Sequence, residues 1–396
     1  MAFSDVLTDC VEQAALIGSS PPIGQKETVD LLEKAGTGCR LGGSEIVGLL
    51  NGLSEPANVR TVLDFSKEYA RPHADEILVL PPLYFSSVCE NKCSYCDFSV
   101  NNGVRLNHGE FREEVDALLA LGYRSIELVS GQDPELFVRD SPFDLMDQRF
   151  RVDRLTPYFA ILGERLAAEG GGMITSNIPP VCGRSFEQLR SAGLDCFLAW
   201  LETFDPGQYS RFHSSNDPKG NQAFRLDAFD RAKQAGVEHV AGAFLKGLYD
   251  WRKEEAALYF LDQYLKERWG RGFSIIGSPR VKGRFLGSMT IREHGVSDEE
   301  YELNIALDRV LFDGVLWLQT REQFEFNRRL VNTYGGGIVM TLTCSTAPGG
   351  YSKPSRGNSQ FPVFPSELEK AVHALQEDGF SVRFGWDSCD LTSFQR

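Results

Sequence analysis

The sequence predicts an α/β protein: a (β/α)8 TIM-type barrel with an N-terminal helical extension and a C-terminal helical and strand cap. Three observations predict it. Eight short apolar runs, each of strand length, recur from 78–85 to 338–342. Amphipathic stretches with helical spacing separate them. Several of those stretches stop at a glycine just before the next run, at Leu121-Gly122, Ala192-Gly193 and Ala235-Gly236. Strand and helix alternating in this way make a parallel sheet, and eight repeats is the number that closes a barrel. A doubly wound open sheet is the rival, but no G-x-G-x-x-G turn follows the first run.

Residues 1–75 read as helical, with apolar positions at helical spacing in 6–17, 29–32 and 46–53. Pro21-Pro22, the glycine-rich stretch 36–43 and Pro56 read as breaks. The barrel is expected over 76–345. Its strands fall at 78–85, 125–130, 173–178, 196–201, 240–245, 273–276, 315–318 and 338–342. Helices are expected at 111–121, 155–168, 186–192, 224–235, 254–269, 301–311 and 322–330. Residues 346–396 read as a cap that completes the barrel, with a helix over 367–376.

Composition narrows the function classes. A chain of 396 residues with 42% hydrophobic and 24% charged residues is an ordinary globular protein. A net charge of -14 argues against a nucleic-acid partner. No run of about 18 apolar residues exists to cross a membrane. The opening MAFSDVLTDC carries acids where a signal peptide carries a basic head. Nine cysteines, scattered apart from one trio, do not make a secreted disulfide framework, so a reducing cytoplasm is expected.

That trio is Cys89, Cys93 and Cys96, a C-x3-C-x2-C run directly after the first strand. A barrel places its catalytic loops there. Soft thiolates on one short loop suit iron and sulfide, and three ligands leave one iron of a 4Fe-4S cluster open. An open iron can take the amino and carboxylate groups of S-adenosylmethionine (SAM) and pass it an electron. A structural zinc site needs a fourth ligand and usually paired C-x2-C knuckles, which are absent. Chance clustering of buried thiols is the other alternative. Cys10, Cys39, Cys182, Cys196, Cys344 and Cys389 read as isolated small hydrophobes, with Cys196 in the core and Cys344 ending the eighth strand.

The text around the trio is more specific. Pro82-Leu83-Tyr84-Phe85-Ser86 precedes it and Tyr95-Cys96-Asp97-Phe98 closes it. Leu201-Glu202-Thr203-Phe204-Asp205, Gly247-Leu248-Tyr249-Asp250-Trp251-Arg252, Ser278-Pro279-Arg280 and Thr320-Arg321-Glu322 follow. Thr346-Ala347-Pro348-Gly349-Gly350-Tyr351 and Trp386-Asp387 continue the series. From about residue 50 to its end the chain resembles the radical SAM lyases of aromatic amino acids. These are 2-iminoacetate synthase of thiazole biosynthesis, the tyrosine lyase of FeFe-hydrogenase maturation and the tryptophan-cleaving 3-methyl-2-indolic acid synthase.

The resemblance implies a 4Fe-4S cluster on the three cysteines, with SAM and substrate buried in the barrel mouth. It implies a radical that takes a hydrogen from the amino group of tyrosine or tryptophan, followed by fragmentation of the backbone. It also implies an electron donor such as flavodoxin or ferredoxin. Tyr95 is expected to meet the adenine through its backbone, and Arg225 to hold the SAM carboxylate. Gln132 stands where a glutamate usually holds the SAM amino group; an amide can accept a hydrogen bond there but offers no charge. Asp97, Lys282-Gly283, Thr341 and Cys344 are further departures. The maturation lyase carries a second cluster site near its C-terminus, where this chain has only Cys389.

Position supports several of these roles independently. Glu202 ends the fourth strand, and carboxylates there face a barrel mouth, which favours a SAM contact over a surface salt bridge. Arg280 and Arg321 end strands six and seven, where a guanidinium fork can grip a substrate carboxylate in two-point fashion. A structural ion pair is the plainer alternative for Arg321, as a solvated helix arginine is for Arg225. Asp250 reads as a helix cap, Gly349-Gly350 as a tight turn with positive φ, and His213 as a solvent-facing loop residue. Two other functions compete: a radical SAM reaction on a different small acid, and a non-enzymatic iron–sulfur carrier. A carrier has no use for Glu202, Arg280 and Arg321.

Overall fold

The computed structural model describes residues 2–100, 103–139, 150–281, 293–343, 345–356, 359–361, 363–364 and 366–396. Lys282-Gly283 and Cys344 lie outside them. The first apolar run forms two strands, β1 (Glu76–Val79) and β2 (Pro82–Ser86). Leu80 and Pro81 divide them, and neither Pro81 nor Pro82, which opens β2, has an N–H for a ladder. Then come β3 (Ser125–Ser130), β4 (Val138–Arg139), β5 (Phe150–Arg151), β6 (Met173–Asn177), β7 (Cys196–Glu202) and β8 (His239–Phe244). The series ends with β9 (Ile275–Gly277), β10 (Val315–Leu318), β11 (Ile338–Met340) and β12 (Ser381–Arg383).

The pairing order is β12-β1-β11-β10-β9-β8-β7-β6-β3-β2, parallel throughout, with β4 and β5 as a separate antiparallel ribbon. The split first run explains how this sheet curls. β1 pairs with β11, and β2 with β3, so one continuous stretch of chain touches both ends of the series. The backbone follows through the break: Leu80 N–H donates to Met340 O (3.1 Å) and Glu127 N–H to Pro81 O (3.0 Å). The eight expected strand positions are all present in this wall. β12, the strand of the C-terminal cap, pairs with β1 on its other side. Arg124 N–H then donates to Phe384 O at 3.1 Å, tying the segment after β12 to the foot of β3.

One face of every strand points into the barrel, and its lower layers are apolar. Leu78, Met173, Cys196, Leu198, Ala241, Ile275, Val315, Trp317 and Val339 form one cluster with Trp386, Leu391 and Phe394 of the C-terminal segment. Trp386 is anchored from both sides. Its indole N–H donates to Val79 O (2.8 Å), and its own carbonyl accepts from Ser125 Oγ (2.6 Å). The helix behind it (Ser388–Phe394), capped by Asp387, stoppers the lower end.

Helices cover the outside, and two expectations about them change. Pro56, read as a break, is the first residue of a helix (Pro56–Glu68), a position where a missing N–H costs nothing. The helix expected at 224–235 is two, Gln222–Leu226 and Ala228–Gln234. Asp227 between them is held by Ser4, whose N–H (2.9 Å) and Oγ (2.6 Å) both donate to its carboxylate. Asp250 caps the helix Trp251–Trp269 as expected, accepting from Arg252 N–H. Gly349 and Gly350 have the positive φ expected of them, +83° and +105°. The N-terminal helices share one apolar core with the barrel helices. Among the described residues no helix is long and apolar enough to cross a membrane.

Candidate active site

The cysteine loop leaves β2 and is pressed against the end of β3 by residues that have no side chain to intervene. A Cβ on Gly131 would stand 2.4 Å from Val88 O and 2.9 Å from Cys89 Cβ. Gly131 therefore lets the two segments touch, and Ser86 Oγ fastens them by donating to Asp133 (2.6 Å). Arg105 grips the same Asp133 with two hydrogen bonds, 2.7 and 2.9 Å long. On this frame Cys89 Sγ accepts from Gln132 N–H (3.4 Å) and from Asn91 Nδ2 (3.8 Å). Cys93 is buried and Cys96 partly so. Burial pushes both thiols up, Cys96 to about 12, against the opposing pull of Lys219. Thiols of that kind give up their protons to a metal rather than to water.

The trio lines a cavity together with Gln132, Asn177, Trp200, Glu202, Lys219 and Arg225. Gln132 is buried, and its Nε2 finds no hydrogen-bond partner among the described residues. A buried amide donor left open at the cavity wall fits a polar ligand there. Glu202 sits where the β7–β8 register shifts and takes a φ of +68°, rare for a residue with a side chain. Its carboxylate accepts from Lys219 Nζ at 2.6 Å and lies 4.0 Å from Arg225. Burial pushes Glu202 up, but Lys219 and Arg225 outweigh it and hold the carboxyl below its ordinary range. Arg225 is buried, not solvated, and donates through Nε to Trp200 O at 2.7 Å.

Lys219 is the residue that motif reading missed. It lies in the short turn Pro218–Gly220, and its N–H donates to Asn91 Oδ1 (3.0 Å), joining this turn to the cysteine loop. The only hint in the sequence is a Pro-Lys-Gly turn downstream of Glu202.

Tyr95 lies behind the loop. Its hydroxyl donates to His213 Nε2 at 2.6 Å. The other ring nitrogen of His213 faces Tyr209 O at 2.8 Å, and a carbonyl can only accept, so Nδ1 carries the proton. The expectation of a solvent-facing His213 is therefore corrected: it is buried, and burial pushes it down to about 3. Neutral at any ordinary pH, it braces Tyr95 and the loop.

A second cavity shares Asn177 and Trp200 with the first and is also lined by Tyr84, Glu127, Trp317, Arg321, Thr341 and Phe361. Arg321 lies with its guanidinium 3.5 Å from the centroid of the Phe361 ring. Trp200 and Trp317 stack across the barrel at 5.7 Å. Room for Trp200 comes from Gly277, where a Cβ would stand 2.2 Å from the indole. Thr341 accepts from the Trp317 N–H (3.0 Å) and donates to Leu80 O (2.9 Å), fixing that ring's direction.

Arg280 does not join this group. Its fork is taken by Glu322, at 3.0 and 2.6 Å, and by Asp298 at 2.7 Å. The Tyr301 ring flanks the guanidinium 4.6 Å away. Glu322, the residue beside Arg321, is as deeply buried as Arg280, and each neutralises the other.

The trio's donor set and surroundings fit an iron–sulfur cluster better than a single ion. The three thiols share the wall of one cavity.

Comparison with known proteins agrees with this chemistry. Residues 83–259 match the radical SAM superfamily, whose members use a 4Fe-4S cluster and SAM. The chain is 26% identical to 2-iminoacetate synthase of Escherichia coli (strain K12) over 320 residues, 78% of this chain and 77% of that one. Over 157 residues, 39% of each chain, it is 34% identical to 3-methylornithine synthase of Methanosarcina barkeri (strain Fusaro). The structure of the FeFe-hydrogenase maturase HydG from Carboxydothermus hydrogenoformans superposes with a TM-score of 0.80 at 25% identity, covering 99% of this chain and 86% of that one. Residues 83–259 are thus similar to the radical SAM superfamily, and the chain around them resembles 2-iminoacetate synthase in sequence and HydG in fold.

Proposed function

We propose that this chain is a radical SAM lyase that fragments or rearranges an aromatic amino acid of the tyrosine or tryptophan type, beginning with hydrogen abstraction from its amino group. One observation carries the reading: the cavity of the cysteine trio and the chamber of Arg321 share a wall at Asn177 and Trp200. Cys89, Cys93 and Cys96 would hold a 4Fe-4S cluster, which when bound would supply the electron for reductive cleavage of SAM. Gln132, Glu202 and Arg225 hold SAM, with Lys219 balancing the charge of Glu202. Arg321 takes the substrate carboxylate and so sets the direction of the amino group. Direction matters because the hydrogen must lie at contact distance from the attacking carbon. Trp200, Trp317 and Phe361 give the chamber flat apolar walls that suit an aromatic ring and keep water out. An external one-electron donor, flavodoxin or ferredoxin, delivers the electron in a reducing cytoplasm.

The test is anaerobic reconstitution with iron and sulfide, then incubation with SAM, a reductant and a panel of amino acids. About four irons per chain are expected, with loss in Cys93→Ala. Production of 5'-deoxyadenosine should rise with tyrosine or tryptophan, alongside an aromatic cleavage product. One zinc per chain and no iron–sulfur absorption would overturn the cofactor assignment. The likeness to 3-methylornithine synthase favours a second reading, rearrangement of an aliphatic amino acid. Stimulation by ornithine or lysine and by no aromatic compound would select it.

A further inference from the structure

The chamber of Arg321 has a second polar pole, deeper in the barrel. Arg321 belongs to the loop after β10, whereas Glu127 stands within β3, in register with Pro82 and Thr175. Glu127 lines the chamber yet is only 3% exposed. Its Oε1 accepts from Asn177 Nδ2 at 3.0 Å. No lysine, arginine or histidine among the described residues pairs with it. Burial pushes its carboxyl up to about 8, so near neutral pH it carries a proton and offers both an O–H donor and a carbonyl acceptor. Such a group is expensive to keep in a core. An apolar residue would continue the layer that packs beneath it, from Leu78 to Trp317. Supporting Asn177 alone would need no carboxyl, since a hydroxyl or amide accepts equally well.

Resting on the function proposed above, we infer that Glu127, positioned by Asn177, reads a hydrogen-bonding group on the far end of the substrate side chain. The chamber then takes aromatic amino acids that carry a phenol hydroxyl or an indole N–H, and rejects phenylalanine. With its carboxylate on Arg321 and its ring beside the Trp200–Trp317 pair, the substrate points its far edge down the barrel towards Glu127. A phenol or indole group finds a partner there. A phenyl ring leaves the acid's O–H desolvated and unanswered, since Asn177 serves only Oε1. Sites that hydrogen-bond a substrate group discriminate strongly against analogues lacking it, by as much as about 10⁴-fold.

The experiment uses the full chain, reconstituted and SAM-bound, titrated calorimetrically with tyrosine, tryptophan and phenylalanine, while 5'-deoxyadenosine is followed in parallel. The wild type should bind tyrosine or tryptophan at least about a hundredfold tighter than phenylalanine. Glu127→Leu should bring the three to within about tenfold while SAM binding is unchanged. Glu127→Gln, which still donates and accepts, should keep most of the preference. Should Glu127→Leu fail to bind SAM, Glu127→Met is read in its place. A leucine or methionine variant with the wild-type preference overturns the inference, as does a wild type that accepts phenylalanine equally. Loss of the preference in Glu127→Gln with SAM binding intact overturns it too, because shape would then be the cause. A wild type that no aromatic amino acid stimulates defeats the proposed function instead, and the two failures are thereby distinct.

Discussion

Three charged side chains sit in or beside the substrate chamber, and their partners decide what each can do. Arg280 and Glu322 satisfy each other, whereas Arg321 lies on an aromatic face with its fork turned to no carboxylate among the described residues. Truncating one partner of a buried charge pair costs about 3–5 kcal/mol. Arg321→Ala should therefore weaken substrate binding at least about a hundredfold, with iron content and SAM affinity unchanged by equilibrium titration. Arg321→Lys should recover part of the loss, since an ammonium cannot reproduce a two-point fork. Glu127 should leave a mark on stability. Below about 4.5, the ordinary value of its carboxyl, folded and unfolded chains both hold the proton. Between there and about 8 only the folded chain holds it, so raising pH through that window favours unfolding. Thermal melts should show Glu127→Gln matching the wild type near pH 4 and exceeding it by about 2 °C or more at pH 8.

At the scale of elements, close approach is bought with glycine. Gly131 lets the cysteine loop lie on the end of β3, and Gly277 on β9 makes the pocket for Trp200 on β7. The Gly277 contact is a sharp one to test, because the indole it makes room for is a wall of the chamber. Gly277→Ala should leave the irons and the SAM affinity in place and abolish stimulation by an amino acid substrate. Iron analysis, SAM titration and 5'-deoxyadenosine formation on one preparation would separate these effects. If substrate stimulation survives, the Trp200–Trp317 pair is not a wall of the substrate site.

The whole molecule depends on how the barrel is closed at its lower end. Trp386, 2% exposed, fills the interior there and bonds Val79 and Ser125 on adjoining walls. Replacing a buried tryptophan by alanine removes both packing and these anchors, at a cost of about 3–5 kcal/mol. Trp386→Ala should lower the denaturation midpoint by that much, and it should loosen the mouth less than the base. Chemical denaturation, compared with the retained SAM affinity of the folded fraction, measures both.

Much of this protein was legible one residue at a time along the chain. The alternation of apolar runs and amphipathic stretches is a local property, and it determined the eight barrel positions. The cysteine trio is likewise local, since a cluster-binding loop is contiguous. Glu202 and Arg321 could be named because the end of a barrel strand faces the mouth wherever that strand lies. What only the tertiary structure decided depends on which side chains meet across strands. Arg280 and Glu322 are 42 positions apart, and nothing in either segment announces that they neutralise each other. Lys219 reaches Glu202 only because an irregular turn folds back over the cysteine loop. Glu127 looks like an ordinary polar residue in an apolar run until the curl of the sheet turns it inward, into the chamber that Trp317 and Arg321 also line. Periodicity reports the face a side chain takes, but the partner on that face is set by the curl of the sheet, which no single segment contains.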